Sequence, residues 1–87
     1  MLEGESMNIK VKMFAMLKEM TGKEEICLEL NEGASCAEAL LILENEYENF
    51  RVLFENSLLA INGEYTHRYA TLQEDDEVAI LPPVSGG

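Results

Sequence analysis

Apolar and polar residues alternate from Met7 to Phe14: Ile9, Val11 and Met13 point one way, Asn8, Lys10 and Lys12 the other. A period of two over this length predicts a strand with one buried face. Phe14-Ala15-Met16-Leu17-Lys18-Glu19-Met20 then favours helix, and Gly22 supplies a stop, so a short helix or helical turn is expected next. Alternation resumes from Glu24 to Leu30, with Ile26, Leu28 and Leu30 inward and Glu25, Cys27 and Glu29 outward. The two strands are expected to pair antiparallel. Asn31-Glu32-Gly33 breaks the pattern, and Ser35 with Glu38 forms a Ser-x-x-Glu capping box that starts a longer helix. This helix is predicted to reach Tyr47 or Glu48. Its sheet-facing side by three-four spacing is Ala37, Leu40, Leu41, Glu44 and Tyr47, flanked by Ala39 and Leu43. Glu44 falls on that side by spacing and, by charge, among the outer acids Glu38, Glu46 and Glu48.

Phe50 to Phe54 reads as a mixed apolar connector, its two phenylalanines expected in the core. Leu58-Leu59-Ala60-Ile61 is a short strand, and Asn62-Gly63 is a strong two-residue hairpin turn returning through Glu64 and Tyr65. After the acidic turn Glu74-Asp75-Asp76-Glu77 comes the apolar run Val78-Ala79-Ile80-Leu81, as expected of a strand inside the sheet. The order strand, strand, helix, strand, short strand, strand points to an α+β fold. A mixed four- to five-stranded sheet carries one long helix on one face, with the first and last strands side by side at the centre. That is the ubiquitin-like β-grasp arrangement. Residues 1–6 are read as a flexible leader, 7–81 as the domain and 82–87 as an extended tail.

Composition narrows the function. The chain has 87 residues, one domain's worth, and 47% of them are hydrophobic, which suits a globular protein. No apolar run reaches the roughly 20 residues that span a membrane, and the acidic start is no secretory signal, so a cytoplasmic protein is expected. Seventeen acids against 6 bases give a formal charge of −11, which a phosphate backbone would repel; nucleic acid is excluded as a partner. Cys27 and Cys36 form no Cys-x-x-Cys pair and there are too few His and Cys for zinc, so neither metal nor bound cofactor is expected. Cys36, near a helix start where a thiolate is somewhat favoured, is read as an ordinary small apolar side chain, and His67 as a surface loop histidine. No catalytic constellation emerges.

The chemistry concentrates in Pro82-Pro83-Val84-Ser85-Gly86-Gly87. The prolines favour an extended segment that cannot continue a strand ladder. Gly86 and Gly87 lack side chains and can thread a narrow channel. Extended, the segment spans on the order of 20 Å, enough to carry a carboxylate from the domain into another protein's active site.

With these residues in view, the chain resembles the small, sulfur-carrying subunit of molybdopterin synthase. The matching positions are the opening strand leading into Phe14-Ala15-x-x-Lys18-Glu19-x-x-Gly22, the Ala60-Ile61-Asn62 strand end, and Asp76-Glu77-Val78-Ala79-Ile80-Leu81-Pro82-Pro83-Val84-Ser85-Gly86-Gly87. The resemblance covers nearly all of residues 7–87. It implies that the Gly87 carboxylate is adenylated with ATP by an adenylyltransferase related to ubiquitin-activating enzymes, and that a sulfur donor then displaces AMP to leave a thiocarboxylate. The charged tail inserts into the large synthase subunit, in a heterotetramer of two small and two large subunits, and passes sulfur to a pyranopterin precursor. Gly87 takes the covalent role, Gly86 the threading role, and Pro82, Pro83, Val84 and Ser85 the docking role; the subunit is not catalytic alone. The resemblance leaves residues 1–6 and the marked acidity unexplained. Three alternatives stay open: a thiamine-pathway sulfur carrier, a protein modifier conjugated through Gly87 to lysines, and a plain interaction domain with an inert tail.

Overall fold

The alternation of the first strand is realised in full. In the computed structural model, which describes residues 5–83, Met7, Ile9, Val11 and Met13 of β1 (Ser6–Met13) are buried, and Asn8, Lys10 and Lys12 lie on the other side. The strand starts at Ser6, and the Glu5 carbonyl accepts from the Glu32 N–H at 2.8 Å, so pairing reaches back beyond Met7. The chain continues through α1 (Ala15–Thr21), β2 (Glu25–Asn31) and α2 (Cys36–Glu46). A 3-10 turn over Glu48–Phe50 leads into α3 (Arg51–Glu55), followed by β3 (Leu58–Ile61), β4 (Glu64–Thr66) and β5 (Glu77–Leu81).

The sheet order is β2-β1-β5-β3-β4. β1 pairs antiparallel with β2 and parallel with β5, while β3 pairs antiparallel with both β5 and β4. The expected central juxtaposition of the first and last strands is therefore present, and the architecture is the β-grasp. The helices cover one face. Between helices and sheet sit Ile9, Val11, Met13, Leu17, Leu40, Leu43, Phe54, Leu72, Val78 and Ile80, all at most 1% exposed. Each such side chain contributes about 1.5–3 kcal/mol on burial, so this layer supplies the main drive for folding.

Three readings of the helical region change. The one long helix, α2, ends at Glu46 and not at Tyr47 or Glu48, α1 forms as expected, and the segment over Phe50–Phe54, read above as a connector, is helical. Phe54 is fully buried and Phe50 packs against the core, as expected. The face that α2 buries is Cys36, Ala39, Leu40, Leu43 and Glu44, whereas Leu41 is 55% exposed. The run Ala39-Leu40-Leu41-Ile42-Leu43 has no polar residue to mark the boundary, so spacing alone misplaced it by part of a turn. Glu44 is only 7% exposed and its Oε2 has no hydrogen-bond partner, so it leaves the outer acidic surface to Glu38, Glu46 and Glu48. At the helix start, the Glu38 carboxylate accepts from the Ser35 N–H at 3.2 Å, as the capping pattern requires.

The hairpin at Asn62-Gly63 has positive φ at both residues, 51° and 88°. Asn62 does more than turn the chain. Its Nδ2 donates to Asp76 Oδ1 at 2.9 Å, and its Oδ1 accepts from the Glu77 N–H at 3.0 Å. The Lys10 N–H donates to the Asp76 carbonyl at 3.0 Å, and the second Asp76 oxygen accepts from the Gln73 N–H at 2.8 Å. These bonds fix the entry of β5 against both of its neighbours.

Candidate functional site

β5 ends at Leu81, and the ladder stops where Pro82 removes a donor. Pro82 is half-buried and Pro83 exposed, both outside regular structure. The expected docking role of Val84 and Ser85 and the threading and covalent roles of Gly86 and Gly87 fall outside the described residues. What the structure defines is the platform from which the tail leaves.

That platform is the sheet face without helices. Register places Leu58 opposite Leu81, and Ala60 opposite both Ala79 and Tyr65. Met13 pairs with Ile80, so one residue further along the parallel ladder Phe14 comes beside Leu81. Because Met13, Ile80 and Leu59 face the core, Phe14, Leu81 and Leu58 form a row across the open face at the edge the tail leaves from. Ala79, Ala60 and Tyr65 form the next row. Phe14 is 40%, Leu58 62% and Tyr65 75% exposed. Apolar residues scattered singly over a surface are ordinary; a contiguous exposed group is a candidate interaction surface.

Away from the tail the same face carries ion pairs: Lys12 with Glu77 at 3.4 Å and Lys10 with Glu25 at 3.6 Å. Such exposed pairs add little stability. Both lysines of this face are thus paired with acids, leaving Glu29, which accepts from the Ser6 hydroxyl at 2.6 Å, while Glu38, Glu46, Glu48 and Glu55 leave the helical side acidic. An approaching surface gains here from apolar contact with Phe14, Leu58 and Tyr65.

The described residues bring together no catalytic group. No cluster of three His, Cys, Asp or Glu able to hold a metal occurs among them, nor does any helix long and apolar enough to cross a membrane. Cys36 is fully buried; burial, and after it the nearby Asp76 carboxylate, push its thiol above the ordinary 9.0, which reverses the expected pull of the helix start. Cys27 is exposed on β2. His67 is exposed, its Nδ1 accepting from the Tyr69 N–H at 3.2 Å. The cleft nearest the tail root, lined by Lys12, Met13, Phe14, Ala15, Lys18 and Glu24, has a volume of only about 190 Å³, below the roughly 300 Å³ where small-molecule sites begin. Phe14, Leu58, Tyr65, Ala79 and Leu81 were not singled out as a surface by sequence reasoning, because what unites them is register between strands distant in the chain.

The ThiS family matches residues 11–87. The molybdopterin synthase sulfur carrier subunit of Arabidopsis thaliana is 37% identical over 82 residues, covering 94% of this chain and 85% of the relative. That of Dictyostelium discoideum is 39% identical over 85 residues, covering 94% and 99%. Among solved structures, the small archaeal modifier protein 1 of Methanosarcina acetivorans superposes with a TM-score of 0.79 at 31% identity, covering 97% of this chain and 100% of that one. The chain belongs to the ThiS family, and the relatives it matches there include molybdopterin synthase sulfur carrier subunits.

Proposed function

We propose that this protein is the sulfur carrier subunit of a molybdopterin synthase. The observation that carries the reading is identity of 37% and 39% to carriers of that name over 94% of the chain, with Pro82-Pro83-Val84-Ser85-Gly86-Gly87 following directly on the central strand. A carboxylate is a poor acyl donor until one oxygen becomes a good leaving group. Attack of the Gly87 carboxylate on the α-phosphorus of ATP, in an adenylyltransferase partner, expels pyrophosphate and makes the acyl adenylate. Hydrosulfide from a sulfur donor then attacks the acyl carbon, AMP leaves as the acyl C–O bond breaks, and loss of the S–H proton leaves Gly87 as a thiocarboxylate. With no Cβ at either tip residue, both nucleophile and phosphate reach the acyl carbon unobstructed. The charged tail enters the large synthase subunit and gives up its sulfur to a pterin precursor, while the row Phe14, Leu81 and Leu58 and the neighbouring Tyr65 dock on that subunit. This chain supplies the acyl group and the docking surface; the partners supply the catalytic groups. An elongated heterotetramer of two small and two large subunits is the assembly this reading expects, in the cytoplasm.

The resemblance to an archaeal modifier protein favours a second reading, in which activated Gly87 is transferred to a lysine amine. Activation is common to both and the acceptor separates them. The test is the intact mass of the untagged protein after incubation with its own organism's adenylyltransferase, ATP and a sulfur donor. A gain equal to one oxygen exchanged for sulfur, absent when Gly87 is deleted and reversed by the large subunit with its pterin substrate, is expected. Lysine adducts with no sulfur gain would favour the modifier. No adduct, with an adenylyltransferase active on another carrier, would sink both.

A further inference from the structure

Among the described residues, three besides glycine have positive φ: Ala15 at 49°, Asn62 at 51° and Asp75 at 67°. Asn and Asp tolerate this region well, and Asn62 is tied there by its bonds to Asp76 and Glu77. Ala15 has no polar side chain to bond locally, and its Cβ makes the left-handed backbone unfavourable. The strain sits at a particular place. Phe14 is still extended, at φ −122° and ψ 157°, and Ala15 is the first residue of α1, so strand turns into helix with no loop between them. The turn is closed on Phe14, whose carbonyl accepts from the Leu17 N–H at 3.0 Å and the Lys18 N–H at 3.4 Å. Phe14 is thus the last open-face residue of the first strand's path, one position before the bend and beside Leu81 at the root of the tail.

We infer that Ala15 is a positioning residue: its left-handed backbone makes a stiff bend that holds the Phe14 ring in the docking row. Glycine would adopt the same angles without strain, yet would also admit many others. A chain selected for stability alone gains from glycine at this position. A chain that needs Phe14 held ready before a partner arrives gains from alanine, because the ordering cost is met on folding and not on binding. The inference rests on the open face being the docking surface.

The experiment uses the full protein, its melting midpoint, and its affinity for the large synthase subunit of the same organism. Ala15→Gly is expected to melt at or above the wild-type temperature and to bind about three- to tenfold more weakly, the cost of ordering one side chain on association. Ala15→Asn keeps a Cβ and tolerates positive φ, and is expected to bind within about twofold of wild type. Phe14→Ala reports on the docking face itself and is expected to weaken binding at least about thirtyfold, the lower end for an anchor residue. Wild-type affinity in Ala15→Gly alongside weak binding in Phe14→Ala would overturn this inference and leave the docking face standing. Wild-type affinity in Phe14→Ala would overturn both. Equal weakening by Gly and Asn, or a lower melting temperature in Ala15→Gly, would make Ala15 a purely structural residue.

Discussion

At its Glu77 end β5 is tied to the rest of the molecule by side chains: Asn62 bonds Asp76 and the Glu77 N–H, and Asp76 reaches the Gln73 N–H. At its Leu81 end no side-chain bond of that kind is present among the described residues, and the neighbours are Leu58, Phe14 and the half-buried Pro82. One end is fixed by directional polar contacts; the other offers non-directional apolar surface. A strand that must present a segment to a partner needs its register set somewhere, since a slip of one residue would exchange Ile80 for Leu81 on the core side. Setting it at the end remote from the tail leaves the near end open to a visitor.

The largest effect should come from the tail. Deleting Gly87 is expected to abolish thiocarboxylate formation while leaving the melting midpoint within about 1 °C, as for a surface change outside the core. Loss of fold together with loss of charging would erase the contrast between the two ends. Leu81→Asp, on the open face, is expected to weaken association with the large subunit by roughly tenfold to a hundredfold with little change in stability; titration calorimetry beside a melt reads both. At the clasped end the balance reverses. Asn62→Ala gives up the side-chain bonds and forces alanine into positive φ, which costs about 2 kcal/mol in urea unfolding, whereas Asn62→Gly keeps the angle and costs about 1 kcal/mol. Equal losses would mean that only the bonds matter.

A smaller change is expected away from both ends. Glu44→Met removes a carboxylate whose Oε2 is buried without a partner, and should stabilise by about 1 kcal/mol, raising the midpoint several degrees. The smallest effect is that of pH. The folded Cys36 thiol is held above 9.0, its ordinary and unfolded value, so the folded state keeps this proton more tightly. The stability that this provides is complete below pH 9.0 and is lost as pH rises from there through the raised folded value. Urea midpoints from pH 8 upward should fall more steeply for wild type than for Cys36→Ala; equal slopes would mean that the clasp carboxylate Asp76 and the burial of Cys36 leave the thiol unperturbed.

Much of this was legible along the chain where the signal is local. The alternation of β1 and β2, the Ser35–Glu38 helix start, the Asn62-Gly63 turn and the Pro-Pro exit each rest on residues close in sequence. The buried side of α2 was less legible, because Ala39 through Leu43 are apolar all round and the choice among them is made by the sheet beneath. The same competition took Glu44 into the interior, a placement its charge opposes. The docking row was not legible at all. Phe14, Leu58 and Leu81 come from three separate strand ends and meet only through register, and Phe14, at once the end of the alternating run and the start of the helical one, is placed on the strand's path by the bend at Ala15. The roles expected of Val84, Ser85, Gly86 and Gly87 lie outside the described residues and rest on the sequence.

The parallel pairing of β1 with β5 has a consequence for the timing of synthesis. Contacts between strands so far apart in sequence close a long loop, which slows folding relative to hairpin or helix formation. On the ribosome β1, α1 and β2 emerge first and lack the strand that completes the centre of the sheet. A prematurely terminated chain therefore lacks both the central strand and the glycines that follow it. Such chains also lack the Gly87 carboxylate, so under the sulfur-carrier proposal activation is confined to chains synthesised to the last residue.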